Sequence, residues 1–202
     1  SEQQDRASGV FDRQTGEVLA QGRLTLPMFM TAMQFAAQEV RAEAQRRGGF
    51  QAGDIYMINN PYTGGTHLPD VKVYAPVFFD EEIIAILGCT GHWGDIGGST
   101  PGGFAPGATE IYQEGLIINA VPFQKAGEVQ HDLLNLIFSN VRVEEERRGD
   151  FQAVLSGLHV GLERFDELIR RYPPATLLSV FTEMNDRSEQ HMRSYLAEMP
   201  DG

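Results

Sequence analysis

Two segments share the spacing His-x-x-Asp: His67-Leu68-Pro69-Asp70 and His92-Trp93-Gly94-Asp95. Imidazole nitrogens and carboxylate oxygens together suit a borderline divalent ion such as zinc, manganese or iron. A protein ligand set that is incomplete leaves positions open for water or substrate. His67, Asp70 and His92 are the expected ligands, with Asp95 either a further ligand or a group that orients a ligating histidine. The competing structural explanation is that Asp caps turns and His packs against backbone in many loops. Glu110 and Glu114 are candidates for general acid/base work beside such an ion, weighed against a role as solvated carboxylates leading into a strand.

Other chemistries find less support. Cys89, three residues before His92, reads as a buried structural thiol rather than a nucleophile. There is no G-x-S-x-G elbow and no G-x-G-x-x-G. The run Gly97-Gly98-Ser99-Thr100-Pro101-Gly102-Gly103 offers a backbone nest for an anion but lacks the Gly-Lys-Ser/Thr ending of a phosphate loop. His131, His159 and His191 read as ordinary helical or surface residues.

The elements that must position these residues can be read from hydrophobic period and punctuation. Ser8 to Gln21 has the shape of a hairpin turning at Asp12 to Gly16. A helix starts at Pro27, carries Phe29, Met33, Ala36, Ala37 and Val40 on one stripe with Phe35 off it, and stops at Gly48-Gly49. Ile55 to Ile58 is a short buried strand. Val71 to Phe79 and Glu82 to Thr90 form two strands about a turn at Asp80-Glu81, apolar enough for cover on both faces. Pro76 argues for an edge or a bulge within the first of them.

A regular hairpin with that turn sets Asp70 across from Gly91 and Pro69 across from His92, with opposed Cβ atoms ~4.5–5.5 Å apart. Gly91 to Ala108 is read as an ordered functional loop, followed by a strand near Leu116 to Val121. From Asp132 the chain turns helical. The clearest helix runs from Val143 to Tyr172, with Glu144, Glu145 and Glu146 at its start and Arg170 and Arg171 at its end, each favourable to the helix dipole. A further helix covers about Ala175 to Glu198.

The fold class expected is therefore α+β: a mixed or antiparallel sheet with the 71–90 hairpin and glycine-rich loops, then a C-terminal bundle of long helices. Residues 1–130 would form the mixed metal-binding part and 131–202 the helical part. A chain of 202 residues can bury a sizeable core, and its 16 basic against 28 acidic residues carry no basic stripe, which argues against nucleic acid. No apolar run approaches the length of a membrane span, and no signal-peptide pattern opens the chain. The single cysteine allows no internal disulfide and favours a reducing, cytoplasmic setting. The chain opens at Ser1 and closes at Gly202, so truncation at both ends is expected.

Gly53-Asp54, Asn60 through Asp70, His92 through Gly98, Ala108 through Leu116, and Asn140-Val141-Arg142 through Gly149-Asp150 together resemble the hydantoinase B family, which includes oxoprolinases and acetone carboxylases. The resemblance implies an N-terminal portion of a metal-binding subunit that works with the remainder of its own subunit and a hydantoinase A-like ATPase holding the ATP. It implies ATP-dependent opening of cyclic amides such as hydantoins, 5-oxoproline and lactams, or ATP-dependent carboxylation of acetone or acetophenone. In the carboxylase branch it implies manganese held by His67, Asp70, His92 and an upstream glutamate, for which Glu2 is the best local match. Two departures stand out: Trp93 follows His92 where many members have a second histidine, and Leu24 to Phe29 lacks a histidine found in others.

Overall fold

A computed structural model of the chain describes residues 5–200. In chain order the elements are β1 (Arg6–Phe11), β2 (Val18–Gln21), α1 (Pro27–Arg46), β3 (Ile55–Ile58), β4 (Asp70–Phe79), β5 (Glu82–His92), β6 (Val121–Lys125), β7 (Glu128–Val129), α2 (His131–Phe138), α3 (Glu144–Arg171) and α4 (Pro174–Ala197). The strands form one seven-stranded sheet in the order β2-β1-β5-β4-β3-β6-β7, with every pairing antiparallel. The protein is α+β, with its C-terminal part helical.

The two central strands are buried on both faces over most of their length, as the apolar runs Val73 to Phe79 and Ile83 to Cys89 require. Alternation sends Val71, Val73, Ala75 and Val77 of β4 into the larger core, shared with Phe151, Leu155 and Leu158 of α3. The opposite face of the same strand sends Tyr74 into a second core beneath α1, where its hydroxyl donates to the Met33 carbonyl at 2.8 Å. Asp70 and Lys72 share that face with Tyr74 by the same alternation. Phe35, off the apolar stripe of α1, is exposed. Pro76 lies beyond the β3 ladder, which spans only Lys72 to Tyr74, so β4 has no partner there on that side.

The expected register is corrected by one residue. Phe79 pairs with Glu82 and Phe78 with Ile83, as a regular hairpin demands, but Val77 then pairs with Ala85, leaving Ile84 as an extra residue in β5. From that bulge onward every pairing is displaced, so Asp70 faces His92 and Val71 faces Gly91. The displacement matters because a one-residue slip exchanges the two faces of a strand. A regular hairpin would have put Asp70 and His92 on opposite sides of the sheet; the bulge sets them on the same side.

The strand expected at Leu116 to Val121 is also corrected, since regular pairing begins only at Val121. Buried Asn59 takes over the preceding stretch, accepting from the Ile118 N–H at 2.7 Å and donating to the carbonyls of Leu116 at 3.0 Å and Leu68 at 2.8 Å. One side chain thus satisfies backbone groups that a ladder would otherwise pair. It also ties residues 116–118 to the loop that carries His67.

Lys72 is fully buried, and its ammonium donates to the Asp70 carbonyl at 3.1 Å. Burial pulls its pKa down to about 8 from 10.5, against the opposing pull of the Asp70 charge. The unfolded chain therefore binds more protons than the native one between these values, and Lys72 makes stability rise with pH across that window. Replacing Lys72 by Met is expected to stabilise the fold at pH 7 by ~1–3 kcal/mol and to abolish the rise, as read by urea denaturation at pH 7 and 10. A second expectation concerns Gly97, whose φ is +82° and whose added Cβ would meet the Asn140 carbonyl oxygen at 2.0 Å. Gly97→Ala should cost ~2 kcal/mol or more in thermal unfolding, whereas Gly149→Ala, in α3 with nothing near its Cβ, should cost nothing.

Candidate metal centre

The segment His67-Leu68-Pro69-Asp70 closes on itself through the Asp70 N–H, which donates to the His67 carbonyl at 3.1 Å. Leu68, fully buried, anchors this turn in the larger core, while the Pro69 carbonyl accepts from the N–H groups of Val71 and Trp93. The turn thus brings His67 back over Asp70 from one side as the bulged ladder brings His92 from across the strand. Nε2 of His67 lies 3.0 Å and Nδ1 of His92 3.1 Å from the same Asp70 oxygen, Oδ1. The two rings are tilted by 30° with centroids 5.0 Å apart.

One ligand atom from each of the three residues lies within 4.8 Å of the others. Two imidazole nitrogens and a carboxylate oxygen this close together are a donor set that could hold a single divalent ion. Asp70 is 1% exposed, whereas both histidines are partly open, so the cluster has a buried floor and an accessible rim. Burial alone would raise the Asp70 pKa. Hydrogen bonds from His67, His92 and Thr66 outweigh that and hold the carboxyl well below the usual carboxylate range. Thr66 donates its hydroxyl to Oδ2, the oxygen that the imidazoles leave. No feature of the sequence singled out Thr66; its position four residues before Asp70, at the start of the turn, was the available signal.

The second His-x-x-Asp segment is built differently, and Asp95 is not among the three convergent ligand groups. Its carboxylate accepts from the N–H groups of Gly97 (2.8 Å), Gly102 (3.3 Å) and Arg142 (3.0 Å), and from the Arg142 guanidinium at 3.1 Å. Burial raises its pKa, and those hydrogen bonds, led by the backbone of Arg142 and Gly97, bring it below the usual value. With three backbone N–H groups and a fixed cation against it, Asp95 organises the loop rather than facing the imidazoles. The glycine-rich nest likewise spends Gly97 and Gly102 on this internal carboxylate, so it is not an open anion cradle. Trp93 is buried and stacks on Phe138 at 5.6 Å, so the residue after His92 is a packing anchor.

Glu110 is exposed and Glu114 half-buried, on either side of a 3-10 turn at Ile111–Gln113, and neither belongs to the convergent cluster. An isolated bridge between Gly97 and Gly115 and the bond from the Leu116 N–H to the Ile96 carbonyl, 2.8 Å, hold their segment against the loop after His92. Glu2 lies outside the described residues. Cys89 is buried in the larger core, and burial pushes its thiol up to about 12, as expected of a structural cysteine. No helix among the described residues is long and apolar enough to cross a membrane.

With this geometry in view, the chain was compared with known proteins. It is 37% identical over 150 residues to the caprolactamase subunit beta of Pseudomonas jessenii, a match covering 74% of this chain and 26% of that subunit. A 5-oxoprolinase of Dictyostelium discoideum is 32% identical over 148 residues, covering 73% of this chain and 12% of the relative. Among solved structures, the ATP-dependent caprolactamase of Pseudomonas jessenii superposes with a TM-score of 0.85 at 33% identity, over 98% of this chain and 34% of that one. A nucleotide-free acetone carboxylase shares the fold, with a TM-score of 0.78 at 20% identity over 86% of this chain and 23% of that one. The chain therefore spans about a third or less of each of these proteins. The hydantoinase B/oxoprolinase family model matches residues 1–202, and the chain belongs to that family.

Proposed function

We propose that this chain is the metal-binding part of an ATP-dependent amidohydrolase acting on cyclic amides, in partnership with a hydantoinase A-like ATPase. The observation that carries the reading is the convergence of His67, Asp70 and His92, in a chain whose fold and sequence are similar to those of an ATP-dependent caprolactamase. The remainder of the same subunit would complete the assembly. Apolar residues exposed along α4, among them Val180, Met184, Met192 and Tyr195, are surface such contacts could cover. The lone buried thiol of Cys89 fits a reducing, cytoplasmic setting.

His67, Asp70 and His92 would hold the ion, whether zinc, manganese or iron. When bound there it supplies Lewis acidity toward a carbonyl oxygen and toward water. The work of the chain itself is positional. Asp70 offers one anionic oxygen between two imidazoles, while Thr66 fixes the other and so sets the plane of the carboxylate. Because the floor of the cluster is buried and His67 is the more exposed of the two histidines, a substrate would reach it from the His67 side. ATP would be used by the partner, which activates the amide oxygen by phosphorylation before the ring is opened. Glu110 and Glu114 are the acid/base candidates of this chain, carried by the segment that the Gly97–Gly115 bridge secures.

A second reading is ATP-dependent carboxylation of a ketone. It is favoured by Trp93, whose indole is committed to the core where many family members have a second histidine. One assay separates the two: the complete complex is given ATP with caprolactam, hydantoin or 5-oxoproline, and in parallel acetone or acetophenone with labelled bicarbonate. ATP-dependent ring opening without label incorporation is expected; label fixed into the ketone would overturn the hydrolytic reading.

Elemental analysis of the purified protein should find about one transition-metal ion per chain. His67→Ala, Asp70→Ala and His92→Ala should each lose it, together with activity. A triple variant that keeps both would end the proposal. Thr66→Val should keep the three ligands yet weaken metal affinity ~10–100-fold, the usual cost of removing a hydrogen bond that orients a ligand, measured by competition with a chelator.

A further inference from the structure

An aromatic ring stands against the more open histidine of the cluster. Phe104 lies 5.6 Å from His67, centroid to centroid, with the two rings tilted by 41°. Aromatic pairs attract at such a separation. The His67 side chain is 31% exposed against 9% for that of His92, so Phe104 makes its contact on the side from which the cluster can be reached. Phe104 itself is 64% exposed, which leaves most of its ring open to solvent. Single apolar residues at a surface are ordinary. This one differs in how firmly its loop is fixed.

The backbone around Phe104 is tied at three places. Two residues before it, the Gly102 N–H donates to Asp95, the carboxylate that Arg142 neutralises while also donating to the Gly98 carbonyl at 2.9 Å. Next to it, Gly103 has a φ of +73° and packs on the turn that carries His67 and Asp70, so closely that an added Cβ would meet Pro69 Cγ at 3.1 Å. The Thr100 hydroxyl then donates to the carbonyl of Phe104 itself at 2.7 Å. A buried carboxylate, an arginine and two left-handed glycines thus hold a phenylalanine out in water beside a ligand histidine. Local choices that gain no core packing mark places where function selects.

We propose that Phe104 is a specificity-determining residue of the reaction put forward above, its open ring receiving the hydrocarbon part of the cyclic amide while the amide group lies at His67, Asp70 and His92. The inference rests on that reading of the cluster as the reacting centre. The contact is apolar and carries no directional bond, so it discriminates by how much hydrocarbon the ring covers. Each methylene buried against it is worth about fourfold in affinity. Phe104 therefore grades cyclic amides by ring size, and the glycine-rich loop that Asp95 organises acquires its purpose in presenting that residue.

The test titrates 2-pyrrolidinone and ε-caprolactam, which differ by two methylenes, calorimetrically into the complete complex at full natural length, with its metal bound and ATP left out. The wild type should bind ε-caprolactam about tenfold more tightly. Phe104→Ala should cut that ratio to about threefold or less, while Phe104→Leu, which keeps an apolar surface, should retain most of it. Elemental analysis should find the same metal content in all three proteins. Equal binding of the two probes by the wild type, no binding of either, or a ratio unchanged in Phe104→Ala would overturn the proposal. Loss of metal from Phe104→Ala would also overturn it, because the ring would then serve His67 and not the substrate. Adding ATP separates this proposal from the reading beneath it. Ring opening with a ratio indifferent to Phe104 faults the contact alone, whereas Phe104-dependent binding without ring opening faults the hydrolytic reading and leaves the contact standing.

Discussion

A carboxylate that is 1% exposed must find hydrogen-bond donors or cost the fold several kcal/mol, and Asp70 finds its donors in two imidazoles and a threonine hydroxyl. Each donor arrives by a different local device. Thr66 and His67 come from the turn that Leu68 pins to the core, and His92 comes from the next strand through the bulge at Ile84. The groups that satisfy Asp70 in this way are also those that can ligate a divalent ion, so the demand of burial and the demand of coordination select the same arrangement. Asn59, buried behind the turn with three hydrogen bonds, holds the loop to the 116–118 segment.

The two His-x-x-Asp segments show how environment divides identical residue types between roles. Asp95 meets three backbone N–H groups and the guanidinium of Arg142, a cation that does not deprotonate in proteins. An ion placed there would be repelled by Arg142 and would find no free lone pair directed at it. Asp70 faces imidazoles, which can release a proton and offer a lone pair instead. One aspartate therefore sets a rigid glycine-rich loop against the start of α3, and the other remains available for exchangeable chemistry. Trp93, wedged against Phe138 and Phe151, makes that loop part of the core rather than a mobile flap.

Lys72 complicates this arrangement. An ammonium fully removed from water, two residues from Asp70 and on the same face of β4, opposes folding at neutral pH, and burial accounts for its lowered pKa. Its ammonium adds positive potential to the buried floor, complementary to the Asp70 carboxylate.

Most elements were legible from sequence because their signals are local. The 3.6 period of Phe151 to Ile169, the proline that opens α1, the glycines that end it, and the apolar runs Val73 to Phe79 and Ile83 to Cys89 each reflect constraints within one segment. Residue chemistry likewise singled out His67, Asp70 and His92 as candidates, and these are the three side chains that the fold brings together. The register of the hairpin was not legible, because near the turn, where Val77 to Phe79 meet Ile83 to Ala85, a regular and a bulged pairing bury the same kinds of side chain, and packing against α1 and α3 chooses between them. Nor could spacing separate Asp70 from Asp95, since the cation that claims Asp95 comes from Arg142, 47 residues away. The sequence by itself determined which elements form and which residue types can ligate. Tertiary structure decided which of them share a face, because a bulge and a distant arginine act only once the chain has been brought together.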